Sequence, residues 1–118
     1  MKTKEITLCG QKVMVAYCFA TEGKFYRKVG TNIESADFSD PDQTKAAILA
    51  GVETYYKGQE PEQDSPINGK DIEYKSKPNE LVEALKAVLT TRAEWYEIPL
   101  GDNFNEKTAD ESGEEKNV

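Results

Sequence analysis

The chain has 118 residues, 22 acidic against 15 basic, with no histidine and a formal net charge of −7. That length holds one domain. The acidic balance, with arginine only at Arg27 and Arg92, excludes the clustered basic surface that a nucleic-acid backbone requires, and the missing histidine removes any Ser-His or Cys-His nucleophile pair.

Residues 5–17, EITLCGQKVMVAY, alternate apolar and polar positions about a glycine. The pattern predicts a β-hairpin with strands 5–9 and 12–16 around a type II′ turn at Gly10-Gln11. In that register Leu8 faces Val13 and Ile6 faces Val15, giving one apolar face that must pack on helices. Cys18 then falls opposite Thr3, and at ~3.3 Å per residue it stands roughly 20 Å from Cys9, too far to bridge. Two free thiols and an N-terminus without a signal-peptide core point to the cytoplasm.

Residues 19–29 predict a short helix with Thr21 as N-cap, Gly30 as left-handed C-cap and Phe25, Tyr26 and Val29 on its buried side. A connector over 31–40 follows, anchored by Ile33 and Phe38. Asp40 and Pro41 supply a cap and a first-turn residue for a helix running to about Lys57. Its inner face carries Ala46, Ile48, Leu49, Val52, Tyr55 and Tyr56. Gly58 ends it, residues 58–69 form an exposed acidic loop, and Asp71–Tyr74 has the makings of a single turn.

The longest periodic stretch is PNELVEALKAVLTTRAEWY, residues 78–96. Leu81, Val82, Leu85, Val88, Leu89, Ala93 and Tyr96 recur at helical spacing, with Trp95 beside them. Pro78 suits the first turn, Glu80 complements its positive end, and Pro99 stops the run. Residues 101–118 hold six acids against two lysines and no periodicity, which predicts a disordered tail. The expected architecture is α+β: a single domain over 1–100, with a two-stranded hairpin packed on about three helices in the order ββααα.

No apolar run approaches the ~20 residues of a membrane span, and two distant cysteines do not make a zinc site. The Glu80/Glu83 and Glu94/Glu97 pairs read as solvated charge, since di-metal carboxylate bundles also need histidine. The reading is therefore of a protein that is not an enzyme, with no catalytic, cofactor-binding or metal residues. Adjacent aromatics on a helix cannot both face a core, so one member of each pair Tyr55/Tyr56 and Trp95/Tyr96 should be exposed. These four are the candidate protein-binding residues; the alternative is that each pair simply closes the edge of the core.

KEITLCGQKVMVAYCFATE at residues 4–22 and LVEALKAVLTTRAEWYEIP at residues 81–99 resemble the small tail assembly chaperones of long-tailed bacteriophages and prophages, in particular those of Bacteroides-type prophages. The resemblance implies a non-enzymatic protein that binds the tape measure protein and helps tail tube protein assemble around it, with no catalytic residues to carry over. The alternative is a small acidic adaptor or regulatory domain of a bacterial operon unrelated to phage assembly. Neither reading involves nucleic acid or membrane, and both leave homo-oligomerisation open.

Overall fold

Two antiparallel strands open the chain, β1 (Lys2–Leu8) and β2 (Gln11–Tyr17). Helices α1 (Phe19–Val29), α2 (Pro41–Lys57), α3 (Gly69–Lys75) and α4 (Pro78–Tyr96) follow, with a 3-10 turn at Ile33–Ser35 between the first two. The architecture is α+β, a hairpin followed by helices, as the apolar patterning predicts. The computed structural model describes residues 1–98. The expectations for Pro99 and for a disordered tail at 101–118 lie outside the described residues.

The hairpin differs from its predicted register by two residues. Ile6 pairs with Val13 and Leu8 with Gln11, so the turn is Cys9-Gly10 rather than Gly10-Gln11. Both turn residues have positive φ, 54° and 78°, the signature of a type I′ turn. A non-glycine residue in that conformation needs support, and Glu80 on α4 provides it. Its carboxylate accepts the Cys9 N–H at 3.0 Å and the Gly10 N–H at 3.1 Å. The Cys9 thiol also donates to the Asp71 carbonyl at 3.3 Å. A slip of two residues leaves every side chain on its predicted face, so Ile6, Leu8, Val13 and Val15 are still buried. Both cysteines are free.

Helix α1 is capped earlier than predicted. Its N-cap is Cys18, and Thr21 sits at N3 with its hydroxyl accepting the Cys18 N–H at 3.1 Å. Thr21 is fully buried, and its hydroxyl lies 2.8 Å from that of Thr54 on α2. The carbonyls of Ala16 and Ala50 accept from this pair at 3.2 and 2.7 Å. Gly30 closes the helix at φ 90°, the left-handed cap the sequence predicts. Phe25 is buried as expected, but Tyr26 is exposed. Neighbours on a helix lie about 100° apart, so a narrow contact face takes only one of them.

Helix α2 begins and ends as predicted, with the Asp40 side chain accepting the Asp42 N–H at 2.9 Å. Ala46, Ile48, Leu49 and Val52 are buried on it, with Ala47, Ala50 and Gly51. The connector is pinned by buried Ile33 and by Phe38, whose ring lies 6.4 Å from that of Phe25. The turn expected at Asp71–Tyr74 is a two-turn helix, capped by the Asn68 side chain on the Asp71 N–H at 2.8 Å.

The stripe of α4 is covered differently from the expectation. Its buried positions are Glu80, Ala84, Ala87, Val88, Thr91 and Ala93. Leu81, Leu85, Leu89 and Trp95 flank that line and are only partly covered, while Val82 and Tyr96 are exposed. Close approach explains the choice. A Cβ built on Gly51 of α2 would stand 3.0 Å from a Val88 methyl and 3.4 Å from Val15 Cβ. Where three backbones come this near, small side chains fit the centre and leucines are displaced to the flanks.

Candidate functional site

Tight packing at the centre leaves aromatic surface uncovered at one end of the molecule. On α1 the buried positions are Thr21 and Phe25. The other side presents Phe19, 78% exposed, and Tyr26, 57% exposed, two turns apart. Gly23 lies between them, with no side chain of its own and the flexible end of Arg27 over it. Opposite stands the last turn of α4, where Arg92 and Tyr96 project toward α1 and the 3-10 turn. The result is a groove of about 280 Å³ lined by Phe19, Glu22, Gly23 and Tyr26 on one side and by Ile33, Glu34, Arg92 and Tyr96 on the other.

Its walls are held by one polar network. Glu22 accepts from the Tyr17 phenol at 3.3 Å and from the Tyr96 phenol. Burial, with the Glu22 charge beside it, pushes the Tyr17 phenol well above its ordinary value. The Tyr96 phenol is raised chiefly by its hydrogen bond to Glu22. Both therefore stay protonated donors at neutral pH. The Arg92 guanidinium pairs with Glu34 at 3.0 Å and lies 4.8 Å from the centre of the Tyr96 ring. Such stacking and fork-like donation is characteristic of arginine rather than lysine. Trp95 packs behind Tyr96, 5.7 Å from the buried Tyr17 ring and 4.9 Å edge-on to Tyr96. The site contains hydrogen-bond donors and aromatic faces, but no nucleophile beside a base.

The four aromatics singled out from the sequence divide between two places. Tyr96 lines the groove, exposed at 43%, and Trp95 supports it from the core side. Tyr55 and Tyr56 pack edge-on at 4.9 Å, both half-buried, and line no part of the groove. Tyr56 has a structural task. Alternate residues of β2 direct their backbone groups away from β1, and the Tyr56 hydroxyl accepts one of these, the Met14 N–H, at 3.1 Å. Thr21 covers the next, the Ala16 carbonyl. The outer edge of β2 is thus blunted by side chains, and that of β1 by the exposed charges Lys2, Lys4 and Glu5.

Phe19, Tyr26, Gly23 and Arg92 escape the sequence reading. A signal for the first three exists: Phe19, Glu22, Gly23 and Tyr26 stand at i, i+3, i+4 and i+7, a stripe distinct from Thr21 and Phe25. Arg92 has no such signal, because only the fold sets it beside Glu34. A larger cleft of about 450 Å³ lies between α3 and the first turns of α2 and α4, lined by Phe38, Pro41, Ile72, Pro78 and Leu81. The Lys45–Glu73 ion pair borders it. It offers no exposed aromatic, so the smaller groove is the better contact site. No family model matches this chain, and no curated protein or solved structure matches it either.

Proposed function

We propose that this protein is a non-enzymatic assembly chaperone of the phage tail type. In this reading the groove between α1 and the end of α4 receives an amphipathic helical segment of the tape measure protein and keeps it soluble while tail tube protein assembles. The observation that carries the reading is a convergence. Residues 4–22 and 81–99, the two stretches that resemble the chaperone family, contribute Phe19 and Glu22 to one wall and Arg92 and Tyr96 to the other. Exposed Phe and Tyr rings beside an arginine around a depression are the usual anchors of a binding surface. Phe19 and Tyr26, seven residues apart on one helix, match the i, i+3/i+4, i+7 spacing of anchors on a client helix. Tyr96 contacts the client, Trp95 supports it, and Tyr56, with Tyr55 packed against it, serves the sheet.

Co-expression with the tape measure protein tests this. The client is expected in the soluble fraction with the intact protein and in the pellet with a Phe19→Ser, Tyr26→Ser double variant. Both residues are surface positions, so each change should alter stability by no more than about 0.5 kcal/mol. A client equally insoluble with and without this protein removes the reading.

A further inference from the structure

The groove lining holds Glu22 and Glu34 beside Arg92, and two further cations of α1, Lys24 and Arg27, stand next in the chain to its lining residues Gly23 and Tyr26. Arg92 lines it, and the Arg27 guanidinium lies over Gly23, about 3.2 Å from where a Cβ would stand. Arg92 is paired with Glu34 and Lys28 with Glu53. Among the described residues Arg27 and Lys24 form no ion pair. Two aromatic rings flanked by unpaired cations favour an occupant that brings an apolar side chain with acids on either side of it.

The chain itself contains such a segment. Residues 102–106 read DNFNE, with Phe104 between Asp102 and Glu106. Phe104 lies six positions beyond Ile98, a reach of roughly 20 Å at ~3.4 Å per residue. The tether leaves from beside the groove, because Tyr96 is one of its walls. From Phe19 to Tyr26 the groove runs seven helical residues, only about 10 Å. Residues 101–118 as a whole hold six acids against two lysines, the sign that complements Lys24 and Arg27.

We propose that the groove is the docking site of this chain's own residues 102–106, with Phe104 seated between Phe19 and Tyr26 and the flanking carboxylates over Lys24 and Arg27. The inference deepens the function proposed above and rests on the same groove. A short tether sets an effective concentration on the order of 1 mM. Even a contact with a dissociation constant of about 1 mM would then be about half occupied.

The test is NMR on the labelled full chain. Expected are nuclear Overhauser contacts between the Phe104 ring and those of Phe19 or Tyr26, unchanged on tenfold dilution. Phe104→Ala should shift the α1 amides, and raising the salt to about 0.5 M should move them the same way by screening the acid–base contacts. The absence of ring contacts, with α1 amides unmoved in Phe104→Ala, overturns the proposal. Contacts that form only between differently labelled molecules also overturn it, and assign the groove to another copy's segment. Client solubilisation separates the two readings. Docked Phe104 with no effect on the client leaves this inference standing and removes the chaperone. A solubilised client with no Phe104 contact does the reverse.

Discussion

Gly51→Ala places one methyl group at the point where α2, α4 and β2 come closest. The new Cβ would stand 3.0 Å from Val88 Cγ2 and 3.4 Å from Val15 Cβ, against an ordinary carbon–carbon contact of about 3.5–4.0 Å. Relief requires a shift of roughly 0.5 Å, and neither neighbour has room for it, since Val88 and Val15 are both fully buried. Overpacking of this kind costs about 1–3 kcal/mol. Against it stands a helix-propensity gain of about 1 kcal/mol for replacing an interior glycine. The balance is a net loss of about 1 kcal/mol, which lowers the melting temperature by roughly 4–8 °C in a domain of this size. Urea denaturation of Gly51→Ala, Val88→Ala and the double variant measures it. Val88→Ala alone leaves a cavity that the methyl added at position 51 partly fills, so the double variant should be more stable than the sum of the singles, by about 0.5–3 kcal/mol. A Gly51→Ala protein more stable than the parent, or strict additivity, would refute the claim that close backbone approach selects the small residues.

Thr21→Val keeps the shape of a buried residue but removes the acceptor of the Cys18 N–H and the partner of Thr54. It should cost about 1–3 kcal/mol in the same denaturation assay, with Thr21→Ser recovering most of the loss. The hydrogen bond from the Lys77 N–H, reinforced by those from Gly10 and Cys9, holds the Glu80 carboxyl below its ordinary value against the opposing effect of burial. A depressed carboxylate contributes stability that is complete above its unfolded value, about 4.3, and is lost as pH falls through the lower folded value. The denaturation midpoint should therefore drop on acidification below about pH 5, and Glu80→Gln should flatten that acid limb. Asp71 and Asp37 are lowered too and will remain in the residual slope. Gly23→Ala meets only the flexible end of Arg27, so it should stabilise α1 by up to about 1 kcal/mol while narrowing the groove. Raised stability with weakened client binding is the expected pair of readings, and unchanged binding would show that the groove is not the contact.

Caps and breakers were readable because they act on adjacent residues. Asp40 with Pro41, Gly58, Gly30 and Pro78 mark helix ends in the structure where they mark them in the sequence. The errors arise where a distant group decides. Gly10-Gln11 is locally a good turn, yet Glu80, some 70 residues later, accepts the Cys9 and Gly10 N–H groups and selects the turn one residue earlier. Thr21 looks like a cap, but Thr54 and Ala16 draw its hydroxyl into the core. The pattern points to the groove through Tyr96 alone, because helical spacing groups Tyr26 with buried Phe25 whereas the fold leaves Tyr26 exposed on the α1 wall.

The amino-acid sequence by itself determined which residues alternate, which recur at helical spacing and where helices begin and end. Those are properties of neighbours along the chain, set by backbone sterics and local hydrogen bonds. The tertiary structure alone decided the hairpin register, the line of small residues at the centre of α4 and the gathering of Phe19, Tyr26, Arg92 and Tyr96 about one groove. A two-stranded sheet and two closely packed helices offer too little area to cover every apolar side chain. Which rings stay outside depends on how near the backbones approach, a distance that no local pattern encodes.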